Sequence, residues 1–259
     1  MADQYARRVD ITSESISRGI RERAASIVGS HGEIPLVLWT PEDAAPTGLV
    51  LVGHGASGHK RQDYVVGLAR RLVRTCGIAV GSIDGPLHGG RRSSQGVDPS
   101  IVLLEFAQAW SLDSTLTDGM LRDWTITLDA LQALDELGDL PVGYWGISMG
   151  TLLGLPFVAA DKRISVCVLG LAGLTGPTAS RLAQDAPHVT VPTLFLVQLD
   201  DNLFSTDSSL ALFAAIGSSE KRLFAAPGRH RDVPADAFQL SVDFLGMHLT
   251  STPEGEPAR

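Results

Sequence analysis

The sequence is short of the features that mark several classes of protein. It contains 2 cysteines in 259 residues, too few for a disulfide framework, and both stand in apolar surroundings that suit small buried side chains. No apolar run approaches the roughly 18 to 20 residues that a membrane-spanning helix needs. The first ten residues carry no apolar stretch after their charges, so no secretory signal is predicted. We therefore expect a soluble, cytoplasmic protein.

Positive charge is also scarce. With 21 Lys and Arg against 29 Asp and Glu, the net charge is -8, which disfavours nucleic acid and anionic membranes as partners. The sequence has no Cys/His cluster with metal-ligand spacing and no dinucleotide-binding glycine fingerprint, so we predict neither a metal nor an organic cofactor. A small molecule is the expected partner, and the sequence leaves the oligomeric state open.

Short apolar runs alternate with longer helical patterns along the chain. This alternation is typical of a mostly parallel central sheet with helices on both faces. An antiparallel pair of strands, 24–28 and 34–39, is predicted to open the fold around a turn at 30–32. Further strands are predicted at 48–52, 77–83, 142–145, 164–169, 193–197 and 221–225. We expect one domain over residues 1–249 and a disordered tail over 250–259.

One stretch breaks the alternation. Residues 91–117 are longer than an ordinary strand-to-helix loop. They contain the apolar segment 101–106, followed by Trp110. We interpret this stretch as a small helical insertion and a candidate partial lid.

The strongest local motif is Gly146-Ile147-Ser148-Met149-Gly150, which lies between a predicted strand and an apolar helical run. A Gly-x-Ser-x-Gly motif in a strand–turn–helix context is typical of a nucleophile elbow. Glycine flanks the serine because the turn is tight. The turn would expose the Ser148 Oγ and direct the Met149 N–H toward a reacting carbonyl. An ordinary Gly-Ser turn before a helix is the alternative, and the context favours the elbow.

A second glycine-rich segment, residues 53–58, follows the strand before the first predicted helix. An oxyanion hole needs two fixed N–H donors, and the elbow supplies one of them. We assign the second donor to the Ala56 N–H, because a glycine-rich loop brings backbone close without steric hindrance. His54 in this segment is expected to order the loop rather than to transfer protons.

A serine nucleophile needs an adjacent base, which is itself oriented by a carboxylate. After an elbow of this kind the acid and then the histidine follow in the chain. The histidines after Ser148 are His188, His230 and His248. His230 is the predicted base, since its loop directly follows the last predicted strand.

The acid is expected in the loop after the strand 193–197. Both Asp200 and Asp201 stand there, and either carboxylate could follow the strand. We prefer Asp201 as the partner of His230 and interpret Asp200 as a loop-capping residue.

Together these motifs resemble the α/β-hydrolase superfamily and, within it, the dienelactone hydrolase-like and small bacterial serine esterase families. The resemblance spans roughly residues 36 to 249. Gln198 departs from it, because these families often carry glycine at that place. The residues that carry the resemblance are His54-Gly55-Ala56-Ser57-Gly58-His59-Lys60, Asp84-Gly85-Pro86-Leu87-His88-Gly89, the elbow, Asp201 and Gly228-Arg229-His230.

The resemblance implies an α/β-hydrolase fold and hydrolysis of a carboxylic ester through an acyl-enzyme, without a cofactor. The expected substrates carry a short- to medium-chain acyl group or are small lactones. The same triad could instead hydrolyse thioesters or amides or act as a perhydrolase. A catalytically inactive binding protein that uses the pocket as a receptor is the alternative from a different class.

Apolar residues of the insertion and of the acid loop are assigned to the substrate pocket. The predicted substrate contacts are Phe106, Trp110, Leu203 and Phe204. His88 is expected to support its own loop. Arg91 and Arg92 could bind a substrate carboxylate, although we favour a solvated surface pair.

Overall fold

The predicted strands form part of a nine-stranded sheet in a computed structural model, which describes residues 8–250 apart from Ser30, His31, Gln95 and Ser114. The strand order is β1-β2-β3-β5-β4-β6-β7-β8-β9. Along this order, neighbouring strands pair antiparallel from β1 to β5. The neighbours from β5 onward, namely β5, β4, β6, β7, β8 and β9, pair parallel. The strands are β1 (Val9–Ser17), β2 (Ile20–Gly29), β3 (Gly32–Pro41), β4 (Leu49–Gly53), β5 (Ala79–Ile83), β6 (Val142–Gly146), β7 (Ile164–Gly170), β8 (Thr193–Gln198) and β9 (Lys221–Ala226).

Helices occupy most of the connections between the parallel strands. The insertion predicted at 91–117 contains α2, which begins at Pro99 under an Asp98 cap that accepts the Ser100 N–H at 2.8 Å. The α-helices are α1 (Asp63–Arg71), α2 (Pro99–Leu112), α3 (Leu116–Gln132), α4 (Met149–Ala160), α5 (Ala179–Asp185), α6 (Thr206–Ala215) and α7 (Ala235–Thr250). Short helical turns cover Leu72–Cys76, Gly89–Arg91 and Ala186–His188.

Side chains of β4 show how the sheet buries both of its faces. Leu49 and Leu51 belong to a cluster with α3 and α4, whereas Val50 and Val52 belong to a second cluster with α1 and α7. Successive side chains of a strand point to opposite faces. All five residues of β4 are buried, which explains why such strands read as continuous apolar runs.

The edge strand β1 was not predicted from the sequence. Eight of its nine residues are exposed, and Ile11 and Ile16 keep about half of their surface in contact with solvent. Because β1 buries neither face, its sequence shows no apolar alternation, and its pairing with β2 defines it.

The two ends of the chain and one predicted turn fall partly outside the described residues. Residues 30 and 31 of the turn and 251–259 of the predicted tail lie there, while Thr250 is the last residue of α7. In the part of the chain that is described, no helix combines the length and apolar character needed to cross a membrane. The domain limits 1–249 and the cytoplasmic location stay predictions.

The parallel arrangement brings four loops to one edge of the sheet. Strands β4, β6, β8 and β9 all end there, since the carboxyl ends of parallel strands face the same way. Ligands of open α/β sheets bind outside this edge. The segments with predicted chemistry, after Gly53, Gly146, Gln198 and Ala226, are therefore neighbours in space.

Candidate active site

The turn between β6 and α4 holds Ser148 in a strained conformation, with φ of 55° and ψ of -122°. Its flanking glycines have a steric cause. A Cβ on Gly146 would lie 2.6 Å from the Gly150 carbonyl oxygen, and a Cβ on Gly150 would collide with the Gly53 backbone. Strain of this kind is kept where the surrounding structure fixes it. The tight turn thus places Ser148 at the start of α4, at the sheet edge.

His230 lies between Ser148 and Asp201. Its Nε2 is 2.9 Å from the Ser148 Oγ, and its Nδ1 is 2.7 Å from the Asp201 Oδ2. The side chains of His230 and Asp201 are 10% and 2% exposed. With Asp201 accepting from Nδ1–H, the Nε2 lone pair faces the serine hydroxyl, the arrangement needed to take its proton.

The two neighbouring aspartates have different surroundings. The second oxygen of Asp201 accepts the Leu203 N–H at 2.7 Å and the Phe204 N–H at 3.1 Å. Asp200 is exposed, and its carboxylate accepts the Gly228 N–H at 3.0 Å. Asp200 therefore joins the two loops, and the geometry favours Asp201 as the partner of His230.

Gln198, at a position where the resembling families often carry glycine, is hydrogen-bonded to the loop that contains His230. Its side chain is buried, and Nε2 donates to the Asp232 carbonyl at 2.9 Å and, more weakly, to the Arg229 carbonyl at 3.5 Å. Both acceptors lie within two residues of His230. The departure from glycine thus supplies a link between the loops after β8 and β9.

The two predicted oxyanion donors flank Ser148 from different segments. Met149 is the first residue of α4, where backbone N–H groups have no partner within the helix. Among the described residues, neither the Met149 N–H nor the Ala56 N–H donates to a protein acceptor. The adjacent Gly55 N–H donates to the Tyr64 hydroxyl at 2.7 Å, which fixes the loop before Ala56. Both predicted donors are therefore unused by the protein.

His54 and His88 are tied to loop backbone. Nε2 of His54 accepts the Gly85 N–H at 2.9 Å, and Nε2 of His88 accepts the Ser57 N–H at 3.2 Å. Each Nδ1 donates to a carbonyl, so both rings are neutral tautomers with no lone pair to spare. Burial, together with the neighbouring His88, lowers the pKa of His54 to about 4, and burial also lowers the pKa of His88.

Asp84 lies beneath the same loops and is fully buried. Its carboxylate accepts the Lys60 N–H at 2.9 Å, the Lys60 ammonium at 2.5 Å and the Gly90 N–H at 2.8 Å. Burial alone would raise the pKa of Asp84, but the charge and hydrogen bonds of Lys60 outweigh it and leave that pKa below its ordinary value. This buried pair anchors residues 53–60, which contain the predicted Ala56 donor and are called the oxyanion loop below, to the loop after β5.

Comparison with known proteins assigns the fold. No protein-family model and no curated protein matches the sequence. A solved cold-adapted esterase from an Arctic intertidal metagenomic library is 38% identical, with a TM-score of 0.82 over 92% of this chain and 98% of that one. The chain belongs to the α/β-hydrolase superfamily. This identity over nearly the whole length also makes it a hydrolase of the carboxylesterase type, as the sequence predicted.

More distant structures share the α/β-hydrolase fold alone. A dienelactone hydrolase from Anabaena variabilis is 21% identical, with a TM-score of 0.67 over 90% of this chain and 100% of that one. An acetyl xylan esterase from Thermoanaerobacterium is 16% identical, with a TM-score of 0.67 over 91% and 87% of the two chains. The predicted membership of this superfamily, with its dienelactone hydrolase-like members, is confirmed.

A cavity of about 420 Å³ opens beside Ser148 in this α/β hydrolase. Three of its lining residues, Ser57, Ser148 and Leu171, have positive φ angles that non-glycine residues rarely adopt. Helix α2 contributes Pro99 at its first turn. The other lining residues are Gly55, Ala56, Gly58, Gln62, Tyr64, Ile147, His230, Arg231, Val233 and Phe238.

The four predicted substrate contacts are not among the residues that line this cavity. Phe106 is 2% exposed, with its ring centre 5.0 Å from that of His88 and 4.9 Å from that of Trp110. Phe204 packs against the His230 ring at 5.7 Å, and Leu203 is about half exposed. Phe106 and Trp110 thus pack the insertion onto the loop of His88, and a substrate role for the four stays a prediction.

Arg91 and Arg92 are not the solvated pair that the sequence favoured. Arg91 forms an ion pair with Asp123 at 2.6 Å and Arg92 with Glu105 at 2.7 Å, and both arginine side chains are largely buried. Neither arginine lines the cavity beside Ser148. They attach the loop after β5 to α2 and α3.

Sequence reasoning missed several residues at the site. Tyr64 and Phe238 come from α1 and α7 and carry no local motif that separates them from ordinary core aromatics. Arg231 could have been found, because it directly follows the predicted base.

Proposed function

We propose that this chain hydrolyses carboxylic esters with short- to medium-chain acyl groups, or small lactones, through Ser148, His230 and Asp201. The observation that carries the proposal is the continuous row of hydrogen bonds from the Ser148 Oγ to His230, at 2.9 Å, and from His230 to Asp201, at 2.7 Å. A nucleophile, a base and an orienting acid at hydrogen-bond distance are what acyl transfer to serine requires.

The reaction follows from these contacts. The Ser148 Oγ attacks the ester carbonyl while its proton moves to His230 Nε2, and Asp201 stabilises the imidazolium. The Met149 and Ala56 N–H groups donate to the oxyanion. The alcohol leaves with the proton from His230, and an acyl-enzyme remains. Water then attacks the acyl-enzyme by the same proton transfers and releases the acid.

Two further features support this assignment. The Nε2 atoms of His54 and His88 already accept backbone hydrogen bonds. Of these three histidines, His230 is the one whose Nε2 is hydrogen-bonded to the Ser148 Oγ. The cavity of about 420 Å³ is of a size that suits small ligands. The activities of the compared proteins, on acetyl xylan or dienelactones, remain properties of those proteins.

The test combines covalent labelling with turnover. The wild-type enzyme should react with a fluorophosphonate and hydrolyse p-nitrophenyl esters, with rates that vary across a series of acyl chain lengths. Ser148→Ala should lose labelling and about a thousandfold or more of kcat while its melting temperature is retained. Ser17→Ala, at the exposed end of β1, is the control and should behave as wild type.

Other outcomes lead to the alternatives. A folded Ser148→Ala variant with near-normal turnover would exclude the proposed nucleophile. Labelling without ester turnover would direct the search to thioesters, amides or peroxide-dependent oxidation. A wild-type enzyme that neither labels nor turns over any of these substrates would support the inactive binding protein.

A further inference from the structure

The cavity beside Ser148 differs in charge from the rest of the protein. The protein as a whole carries a net charge of -8. Among the described residues that line the cavity there is one arginine, Arg231, and there is no aspartate or glutamate. The described lining therefore carries one guanidinium and no carboxylate, in a protein that is acidic as a whole.

Arg231 is held at this place by both sides of the site. It directly follows His230 in the chain, and its guanidinium donates to the Ser57 Oγ in the oxyanion loop at 3.3 Å. Unlike Arg91 and Arg92, Arg231 has no carboxylate within ion-pair distance in the described part of the chain. A guanidinium offers five N–H donors, and the contact with Ser57 leaves most of them available.

We propose that Arg231 binds an anionic group of the substrate, so that the enzyme prefers esters that also carry a carboxylate, such as half-esters of small dicarboxylic acids. The inference rests on the proposed function and specifies its substrate class. Guanidinium and carboxylate match in shape and form paired, charge-assisted hydrogen bonds. No acidic side chain in the lining competes for the cation.

The position of Arg231 explains why this contact would affect turnover. Arg231 and His230 are adjacent and line one cavity with Ser148, so a carboxylate bound by Arg231 is tethered close to the reacting serine. Substrate groups that bind away from the reacting atoms fix the position of the carbonyl. Since Arg231 is exposed, we expect a moderate effect, about fivefold in kcat/KM.

The test compares matched anionic and neutral esters. On the acyl side the pair is 4-nitrophenyl hydrogen glutarate and 4-nitrophenyl pentanoate, and on the alcohol side it is 4-carboxyphenyl butanoate and phenyl butanoate. The readout is the anionic-to-neutral ratio of kcat/KM after subtraction of the uncatalysed rates. Comparing this ratio between variants removes differences in intrinsic reactivity.

In at least one of the two pairs, Arg231→Gln should lower the ratio about fivefold and Arg231→Glu should lower it further. Arg231→Lys, which keeps the charge but not the paired geometry, should fall between wild type and Arg231→Gln. Arg229→Gln is the matched control, because Arg229 is an exposed arginine in the same loop that does not line the cavity. Its ratio should equal that of wild type. Added salt should lower the wild-type ratio, since it screens an exposed charge.

Equal ratios in wild type, Arg231→Gln and Arg229→Gln for both pairs would overturn the inference and leave Arg231 as a link between two loops. If Arg231→Gln does not fold, Arg231→Lys and the wild-type salt series decide the question. Labelling of Ser148 and hydrolysis of the neutral esters report on the proposed function separately. If the wild-type enzyme does both and the anionic-to-neutral ratio does not depend on Arg231, the proposed function stands and only the substrate class is refuted.

Discussion

The two loop systems that flank Ser148 are anchored in different ways. The oxyanion loop rests on the buried side chains of His54, Asp84 and His88, each with its polar atoms hydrogen-bonded to neighbouring backbone or to Lys60. The loops of Asp201 and His230 lie nearer the surface and are joined by Asp200 and Gln198. One side of the serine is supported from the interior and the other mainly by contacts between loops.

Because of this difference, we expect substitutions on one side of Ser148 to lower the stability of the protein and substitutions on the other side to lower its rate of turnover. Buried polar groups are costly when a partner is removed, because the remaining group stays desolvated. Changes on the oxyanion side should therefore unfold the protein as well as slow it. Changes on the acid–base side that keep the size of the side chain should alter proton transfer while the fold remains, since Asp200 and Gln198 still join the two loops.

The largest expected effect is on the acid–base side. Asp201→Asn should lower kcat by on the order of 10⁴, because the amide would donate to Nδ1 and turn the imidazole into the wrong tautomer. Asp200→Asn should retain most of the activity, since Asp200 contacts the Gly228 N–H rather than His230. Ester hydrolysis and thermal melts of both variants test this, with a small change in melting temperature expected for each. The reverse ranking of activities would move the acid to Asp200.

On the oxyanion side, Asp84→Asn should chiefly reduce stability. The amide would leave the Lys60 ammonium without its counter-ion and would turn an N–H₂ group toward the Lys60 or Gly90 N–H. Breaking a buried ion pair costs about 3 to 5 kcal/mol, which corresponds to a fall in melting temperature of about 10 °C for a chain of this size. Asp200→Asn serves as the exposed control. A melting temperature equal to that of the control would contradict the interior support of this loop.

The smallest expected effect is a dependence of stability on pH that arises from His54. Its pKa is lowered from the ordinary value of 6.5 to about 4 by burial and by His88. The unfolded chain therefore binds a proton between these pH values that the folded chain does not, so His54 stabilises the fold above pH 6.5 and this contribution is lost as the pH falls toward 4. The slope due to one such group is about 1.4 kcal/mol per pH unit.

Urea unfolding at several pH values from 4 to 7 measures this slope. His54→Gln, which does not titrate in this range, should show a slope smaller by about 1.4 kcal/mol per pH unit, whatever its absolute stability. An unchanged slope would mean that His54 is not held neutral in the folded protein.

Local rules explain why much of the fold could be predicted. The strands that carry the site are buried on both faces and appear as apolar runs. The elbow is recognisable from five consecutive residues, 146–150, although the need for glycine at 150 comes from the Gly53 backbone of β4. Strand β1 escaped prediction because it buries neither face. The insertion was recognised by its length and apolar content, and the structure adds that α2 lies in it and that Phe106 faces His88.

The sequence by itself indicated the superfamily, which the comparisons confirm, and predicted the Gly146–Gly150 elbow and the order of Ser148, acid and His230, because these depend on neighbours in the chain and on strand order. Only the tertiary structure decided which of the adjacent residues Asp200 and Asp201 contacts the His230 imidazole, since that depends on how the loops after β8 and β9 are placed relative to each other. It also decided that Arg91 is engaged in an ion pair while Arg231 faces the cavity. Burial and pairing of charges arise from segments far apart in the chain, and no local pattern encodes them.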